Sequence, residues 1–222
     1  MTTEPFERSP INRRRFLAGG AAAALAVGAA ACSSSSKSSS AAGTASTSAG
    51  DTTSTPTTAA TNGDAKIAMT AASLEVLAVG TYKAALDAAT AGKLGTVPPA
   101  VATFVQTAMA HHQKALDQWN NVLTSAGAQA VTQPPASLKA TVDQQFAQVK
   151  DATGAAKLAL MLEQIAADTY LAVGPTITDK KAITLAGALQ CVDQEHAAIL
   201  NFVLGSYPVP DVFQKTDKAF TG

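Results

Sequence analysis

A short motif that carries a carboxylate and a tyrosine occurs twice in the chain. Both copies read Leu-Glu-x-x-Ala-x-x-Thr-Tyr, and they span residues 74–82 and 162–170. The paired side chains are Glu75 with Tyr82 and Glu163 with Tyr170. Each tyrosine follows its glutamate by about two turns of an α-helix, so the two side chains share one helix face. That face is otherwise apolar, which predicts a buried carboxylate in each copy.

Histidine and aspartate side chains fall on apolar faces elsewhere in the chain. His112 lies on one such face with His111 at its margin, and Asp193 and His196 lie on another. A buried carboxylate without a partner costs several kcal/mol, so these groups are expected to meet in the core. Imidazole and carboxylate groups both suit Fe, Mn and Zn. The pattern predicts either a metal site or a buried hydrogen-bond network.

The elements that position these residues are predicted to be helices. From residue 64 to 222, apolar residues recur at intervals of three and four, and alternating β-type runs are almost lacking. Four long helices and a shorter one between the second and third have approximate spans of 64–89, 99–125, 137–150, 153–173 and 179–205. The long helices measure about 30 to 40 Å, so we expect an all-α, antiparallel four-helix bundle with one extra short helix.

The predicted bundle resembles ferritin-like proteins in its polar residues. In di-iron members, two helices each give one carboxylate and the other two each give a Glu-x-x-His pair. Glu75 and Glu163 match the single carboxylates, and Asp193-x-x-His196 matches one pair with Asp in place of Glu. The resemblance spans about residues 64–210 and is closest to the exported group that includes desiccation-related proteins. It implies iron or manganese, with Glu75, His111, His112, Glu163, Asp193 and His196 as candidate ligands and Tyr82 and Tyr170 beside them.

The second helix departs from the di-iron pattern. If His111 is the motif histidine, Ala108 stands in place of the glutamate; if His112 takes the glutamate position, Ala115 stands in place of the histidine. The ligand set for two ions is therefore incomplete, and mononuclear binding, dinuclear binding and a metal-free polar core all stay open. One hypothesis is that the protein is a metal-dependent oxidoreductase, and the other is that it is a non-catalytic protein with a structural or binding role.

The N-terminal region predicts export. Arg13 and Arg14 precede Phe16-Leu17 and a weakly apolar run to Ala31, which resembles a twin-arginine signal peptide over residues 1–31. This run is too short, and too rich in Ala and Gly, for a membrane-spanning helix.

A lipid anchor is expected directly after this signal. Residues 29–32 read Ala-Ala-Ala-Cys and resemble a bacterial lipobox in which Cys32 is acylated; plain cleavage and secretion is the alternative. Residues 32–63 are rich in Ser, Thr and Ala and predict a disordered tether to the 64–222 domain. A tethered protein of this kind is expected to be a membrane-held monomer or small oligomer rather than a closed cage.

Composition and motif content exclude several other classes. The chain carries 16 basic and 16 acidic residues, so its formal net charge of zero does not favour nucleic acid. Its 2 cysteines form neither a disulfide framework nor a Cys-x-x-Cys site. The sequence has no Gly-x-Ser-x-Gly motif and no phosphate-binding loop.

Overall fold

The computed structural model describes the backbone of residues 58–222 and the side chains of residues 63–222. The predicted signal peptide, Cys32 and most of the predicted tether lie outside the described residues. The α-helices are α1 (Thr58–Thr90), α2 (Pro99–Ser125), α3 (Ala136–Phe146), α4 (Ala152–Val173) and α5 (Lys180–Val203). No helix in this part of the chain is both long enough and apolar enough to cross a membrane.

The predicted all-α bundle with one extra short helix is confirmed, and two helix ends differ from the prediction. α1 begins at Thr58 rather than Asp64, so it includes the last residues of the predicted tether. α3 ends at Phe146 rather than Lys150. There the N–H groups of Gln148 and Val149 donate to carbonyls three residues back, which tightens the chain into a turn.

Consecutive long helices pack as two hairpins. α1 packs along α2, α4 packs along α5, and the hairpins meet mainly through α1 and α4. The short α3 lies against α4. This arrangement brings the inward faces of all four long helices to a common axis.

The larger of two buried apolar clusters lies at the end of the bundle where α1 and α5 begin. Trp119 and Leu123 of α2 are fully buried there, against small residues that let the helices approach closely. Those small residues are Ala68, Ala71, Ala72, Ala182 and Ala186. A second apolar cluster, which includes Leu77 and Leu162, lies beneath α3. Along α1 and α4 the buried polar residues lie beside these clusters, near the middle of the bundle.

Glycines with positive φ follow three of the long helices, the first being Gly92 after α1 with φ 71°. Gly127 follows α2 with φ 78°, and Gly205 follows α5 with φ 80°. After α2, the Gly127 N–H donates to the carbonyl of Thr124 and the Ala128 N–H donates to that of Leu123. This is the Schellman pattern, which satisfies carbonyls at a helix end and needs a left-handed residue that glycine supplies without strain.

Asp64 connects the start of α1 to the start of α5. Its carboxylate accepts hydrogen bonds from the N–H groups of Thr178 at 3.0 Å and Asp179 at 2.7 Å, and from Thr178 Oγ1 at 2.8 Å. Slight burial raises the pKa of Asp64, but these hydrogen bonds outweigh it and lower the pKa below its usual value. Asp179 in turn caps α5 by accepting the Ala182 N–H at 2.8 Å.

The segment after α5 folds back onto α4. Gln214 Nε2 and the Lys218 N–H both donate to the Asp168 carboxylate at 3.1 Å. The Phe220 N–H donates to Thr169 Oγ1 at 2.8 Å. Asp168 and Thr169 belong to the second copy of the repeated motif, so the outward side of that copy anchors the C-terminal segment.

Removing the Asp64 carboxylate is expected to loosen the contact between α1 and α5. Asp64→Ala should lower the free energy of unfolding by about 1 to 2 kcal/mol, because a charged acceptor of several hydrogen bonds is lost. Urea denaturation measures the change. The control is Asp87→Ala on the same helix, which removes only an exposed pair with Lys83 and should change stability by less than about 0.5 kcal/mol. Equal effects of the two substitutions would contradict a connecting role for Asp64.

Candidate metal centre

The two copies of the repeated motif are joined by reciprocal hydrogen bonds at the centre of the bundle. α1 and α4 run antiparallel, so the tyrosine of each copy reaches the glutamate of the other. Tyr170 Oη donates to Glu75 Oε1 at 2.5 Å, and Tyr82 Oη donates to Glu163 Oε1. Both carboxylates are buried, with 2% and 1% of their surface exposed. The repeat therefore produces an approximate local two-fold arrangement of carboxylates and tyrosines.

His112 of α2 lies between the two glutamates. Its Nδ1 is 2.7 Å from Glu75 Oε2, and its Nε2 is 3.1 Å from Glu163 Oε1. Its ring also stacks on that of Tyr82, with the ring centroids 5.6 Å apart. Carboxylate oxygens accept hydrogen bonds, so in the metal-free protein both imidazole nitrogens act as donors.

Two residues of α5 complete the cluster. His196 Nδ1 lies 3.2 Å from Glu163 Oε2. Asp193, one helical turn earlier, is buried, and its Oδ2 atom accepts no hydrogen bond from any of the described residues. An unpartnered buried carboxylate oxygen is costly and calls for an explanation, and a bound cation would satisfy it.

Four side chains are close enough together to hold one ion. One donor atom each from His112, Glu163, Asp193 and His196 lie within 4.8 Å of one another. Ligands about 2.1 Å from a tetrahedrally coordinated ion are about 3.4 Å apart, so modest side-chain rotations would close this group on a cation. Two imidazole nitrogens and two carboxylate oxygens form a set that suits Fe(II), Mn(II) or Zn(II). The residues present therefore fit a single transition-metal ion.

The interior face of α2 explains why the cluster has the size of a one-ion site. Ala108 and Ala115 lie about one turn before and after His112, and both are buried. Methyl groups thus stand at the positions where the di-iron pattern would place a further glutamate or histidine. Among Ala108, His112 and Ala115, only His112 has a side chain that can bind metal.

Opposite charges set the protonation of Glu163 and His112. Burial alone would raise the pKa of Glu163, but attraction and hydrogen bonding from His112, followed by those from His196, lower this pKa to about 2. Burial alone would likewise lower the pKa of His112, but the charge and hydrogen bond of Glu163, followed by those of Glu75, raise it well above its usual value. The metal-free cluster therefore contains an imidazolium between two carboxylates.

Asp193 and the two tyrosines are driven towards their neutral forms. Burial raises the pKa of Asp193 well above its usual value, and the charges of Glu75 and Glu163 add to this against the opposing effect of His112. Burial followed by the nearby carboxylate charge also raises the pKa of Tyr82 and Tyr170. Both tyrosines therefore remain hydrogen-bond donors to the glutamates.

Two of the predicted ligands lie outside the group of four. Glu75 contacts His112 and Tyr170 instead. His111 is exposed; its Nδ1 is 3.0 Å from His196 Nε2, and the two rings stack with centroids 5.3 Å apart. Burial, and then the charge of His196, lower the pKa of His111. The structure thus places Glu75 and His111 next to the histidines of the group.

Two aromatic residues support the cluster without having been predicted to do so. Trp119 Nε1 donates to Tyr170 Oη at 2.8 Å, which extends the hydrogen-bond chain from Glu75 into the apolar core. Phe104 contacts Tyr82 and His196 edge-on, at centroid distances of 6.4 and 5.7 Å. Trp119 lies seven residues after His112, which is the spacing that relates each glutamate to its tyrosine. This spacing was a signal that Trp119 shares the inward face of α2 with His112.

Neutralising Asp193 is expected to stabilise the metal-free protein. Its folded-state pKa is raised, so the stability it contributes is present below its unfolded value of 3.8 and is lost as the pH rises. Asp193→Asn should therefore exceed the wild type in free energy of unfolding by about 1 to 3 kcal/mol at pH 7. The difference should shrink towards pH 4, because the pH then approaches the unfolded value of 3.8 and the wild-type side chain becomes increasingly protonated in the unfolded state as well.

Urea denaturation in the presence of a chelator, over pH 4 to 8, measures this difference. The control is Glu195→Gln, which neutralises an exposed carboxylate next to His196 and should show no such gap. A wild type that is more stable than Asp193→Asn at pH 7 would mean that the Asp193 carboxylate is satisfied in the metal-free fold.

Comparison with known proteins agrees with this architecture. The family model described as "Ferritin-like domain" matches residues 63–206, which is more than half of the chain. Comparisons with curated proteins and with solved structures gave no match. The matched range contains all five helices from Gly63 onward and every residue of the buried cluster. The chain therefore belongs to the ferritin-like domain family.

Proposed function

We propose that the protein binds a single iron or manganese ion at the centre of its bundle. The ligands are His112, Glu163, Asp193 and His196. The observation that carries the proposal is the buried, unpartnered Asp193 Oδ2 within a group that already contains two imidazoles and a second carboxylate. A cation between these side chains would satisfy that oxygen and offset the repulsion between Asp193 and the glutamates.

The residues around the four ligands hold them in position. Glu75 accepts from His112 Nδ1, which leaves Nε2, the nitrogen that faces Glu163, as the ligand atom. A histidine that binds metal commonly donates its other N–H to a carboxylate, which fixes the ring. Tyr170 in turn holds Glu75, and Tyr82 holds Glu163. Glu75 thus acts in this proposal as the positioning partner of a ligand.

The proposed site holds a single ion because α2 contributes only one ligand, His112, and has buried alanines at the positions on either side of it. Bound iron or manganese would supply one-electron redox chemistry at the bundle centre. The residues of the chain contribute a buried, preorganised site whose carboxylates and tyrosines are hydrogen-bonded in the absence of metal.

A second candidate function is a non-catalytic bundle with a metal-free polar core that serves a structural or binding role. This candidate is favoured by the hydrogen-bond network around the two glutamates, in which nearly every polar atom already has a protein partner. Both oxygens of Glu75, both oxygens of Glu163 and both ring nitrogens of His112 have protein partners. Among the buried side chains of the described residues, Asp193 has an oxygen without a hydrogen-bond partner. A metal-loading experiment therefore distinguishes the metal-binding protein from the metal-free bundle.

The location that we propose is the outer side of a bacterial cell membrane. The support is in the sequence: the Arg13-Arg14 pair before an apolar run, and Cys32 after small residues. The twin-arginine route carries folded proteins, which suits a metal that is inserted before export. A lipid on Cys32 and a Ser/Thr-rich connection suit a membrane-held monomer or small oligomer, and secretion after plain cleavage is the alternative.

Metal binding is expected to raise the melting temperature of the protein. Anaerobic addition of Fe(II) or Mn(II) at about 100 times the dissociation constant should stabilise the wild type by about 2.7 kcal/mol, with one ion retained per chain. Asp193→Asn and Glu163→Gln should lose both effects because each removes a ligand. Calorimetry and elemental analysis after gel filtration measure them.

The matched control for this experiment is Glu195→Gln, whose exposed carboxylate lies outside the group of four. It should retain both the ion and the stabilisation. If the wild type holds no metal and melts at the same temperature with and without it, the metal-free polar core is the better description.

Export and anchoring are expected to depend on different residues. Replacing Arg13 and Arg14 together with lysine should leave the precursor in the cytoplasm, although the positive charge is kept. Cys32→Ala should permit export but release the protein from the membrane fraction. Cell fractionation and lipid labelling measure both outcomes, and Cys191→Ala, which removes an exposed thiol of α5, should change neither. Membrane retention of the Cys32→Ala protein would contradict acylation at this residue.

A further inference from the structure

An apolar cavity occupies the end of the bundle opposite the apolar cluster around Trp119 and Leu123. Its volume is about 280 Å³, and it lies between the last turns of α1, the first turns of α2, the first half of α4 and the end of α5. Alanines on facing helices, such as Ala85 of α1 and Ala159 of α4, leave this space unfilled. None of the described residues that line it is charged.

The inner wall of this cavity is shared with the candidate metal centre. Tyr82 and Phe104 both line the cavity. Tyr82 donates to Glu163 and stacks on His112, and Phe104 packs edge-on against His196. An occupant of the cavity would therefore lie against the side chains that hold the cluster.

The outer end of the cavity reaches an apolar part of the surface. Val203 of α5 lines the cavity and is itself 44% exposed, and the adjacent Phe202 is 61% exposed. Gln106 and Thr90 are exposed polar residues of the lining. An apolar molecule could enter here without passing a charged group of the lining.

We propose that this cavity is a binding site for an uncharged apolar molecule of about ten carbon atoms. An apolar cavity of about 150 Å³ accepts benzene, so a cavity of 280 Å³ suits a ligand nearly twice that size. A charged ligand would lose its hydration and find no opposite charge in the lining, so it is disfavoured. The site goes beyond the proposed metal binding and does not depend on it, because the cavity lining includes none of the four proposed ligands.

Naphthalene, with ten carbons and no charge, is the probe that tests this site. The full chain should bind one naphthalene, with or without added metal, and should bind naphthalene-1-sulfonate at least tenfold more weakly. Titration calorimetry and the fluorescence of the probe measure both affinities. Because the metal-free protein is tested as well, failure of metal binding would leave this result unaffected.

Filling the cavity is expected to remove the site. Ala85→Leu places extra carbons in the cavity and should weaken naphthalene binding at least tenfold. Its matched control is Ala88→Leu, at a half-buried position of α1 outside the lining, which should leave affinity unchanged. Ala159→Leu, from the opposite wall, serves if Ala85→Leu does not fold. The proposal is overturned if the wild type fails to bind naphthalene, if it binds the sulfonate equally well, or if the filled and control variants bind alike.

Discussion

Glu163 is the residue on which the centre of the bundle depends. Its carboxylate, on α4, receives a contact from each of the other three long helices: Tyr82 of α1, His112 of α2 and His196 of α5. A carboxylate buried to this degree is tolerated only when it is paired and hydrogen-bonded. This requirement fixes the relative rotation of four helices whose alanine-rich faces would otherwise permit several arrangements. The rotation in turn places Asp193 beside the same carboxylate.

Asp193 is the part of the cluster that the protein alone does not satisfy. The other buried polar groups form a closed network, whereas the Asp193 carboxylate faces two glutamates with one imidazolium to offset them. In the metal-free state, His112 and Asp193 each favour a bound proton. Replacing those two protons with a divalent cation would leave the charge of the cluster unchanged, as expected for metal binding coupled to proton release. A site that destabilises the metal-free fold while supplying a ligand is a common compromise between stability and function.

The two ends of the bundle differ in what their small residues do. At the end where α1 and α5 begin, alanines let helices close around Trp119 and Leu123, so the core is filled. At the other end, alanines on facing helices leave a cavity whose inner wall includes Tyr82 and Phe104. These two aromatic side chains separate the polar cluster from the cavity while contacting both. The fold thereby places an apolar space directly beside a polar centre, an arrangement common in small-molecule sites.

Helical periodicity and the repeated motif were sufficient to predict the bundle, the extra short helix and the inward placement of Glu75, Glu163, His112, Asp193 and His196. These features depend on spacing along single helices, which the sequence contains in full. The partners of each side chain depend on helix rotation and antiparallel pairing. For this reason the crosswise tyrosine–glutamate bonds, the contact of Glu75 with His112, the bond from Trp119 and the unpartnered Asp193 oxygen required the tertiary structure. The cavity also required the tertiary structure, because an alanine in a sequence pattern does not show whether the facing helix packs against that alanine or leaves a space.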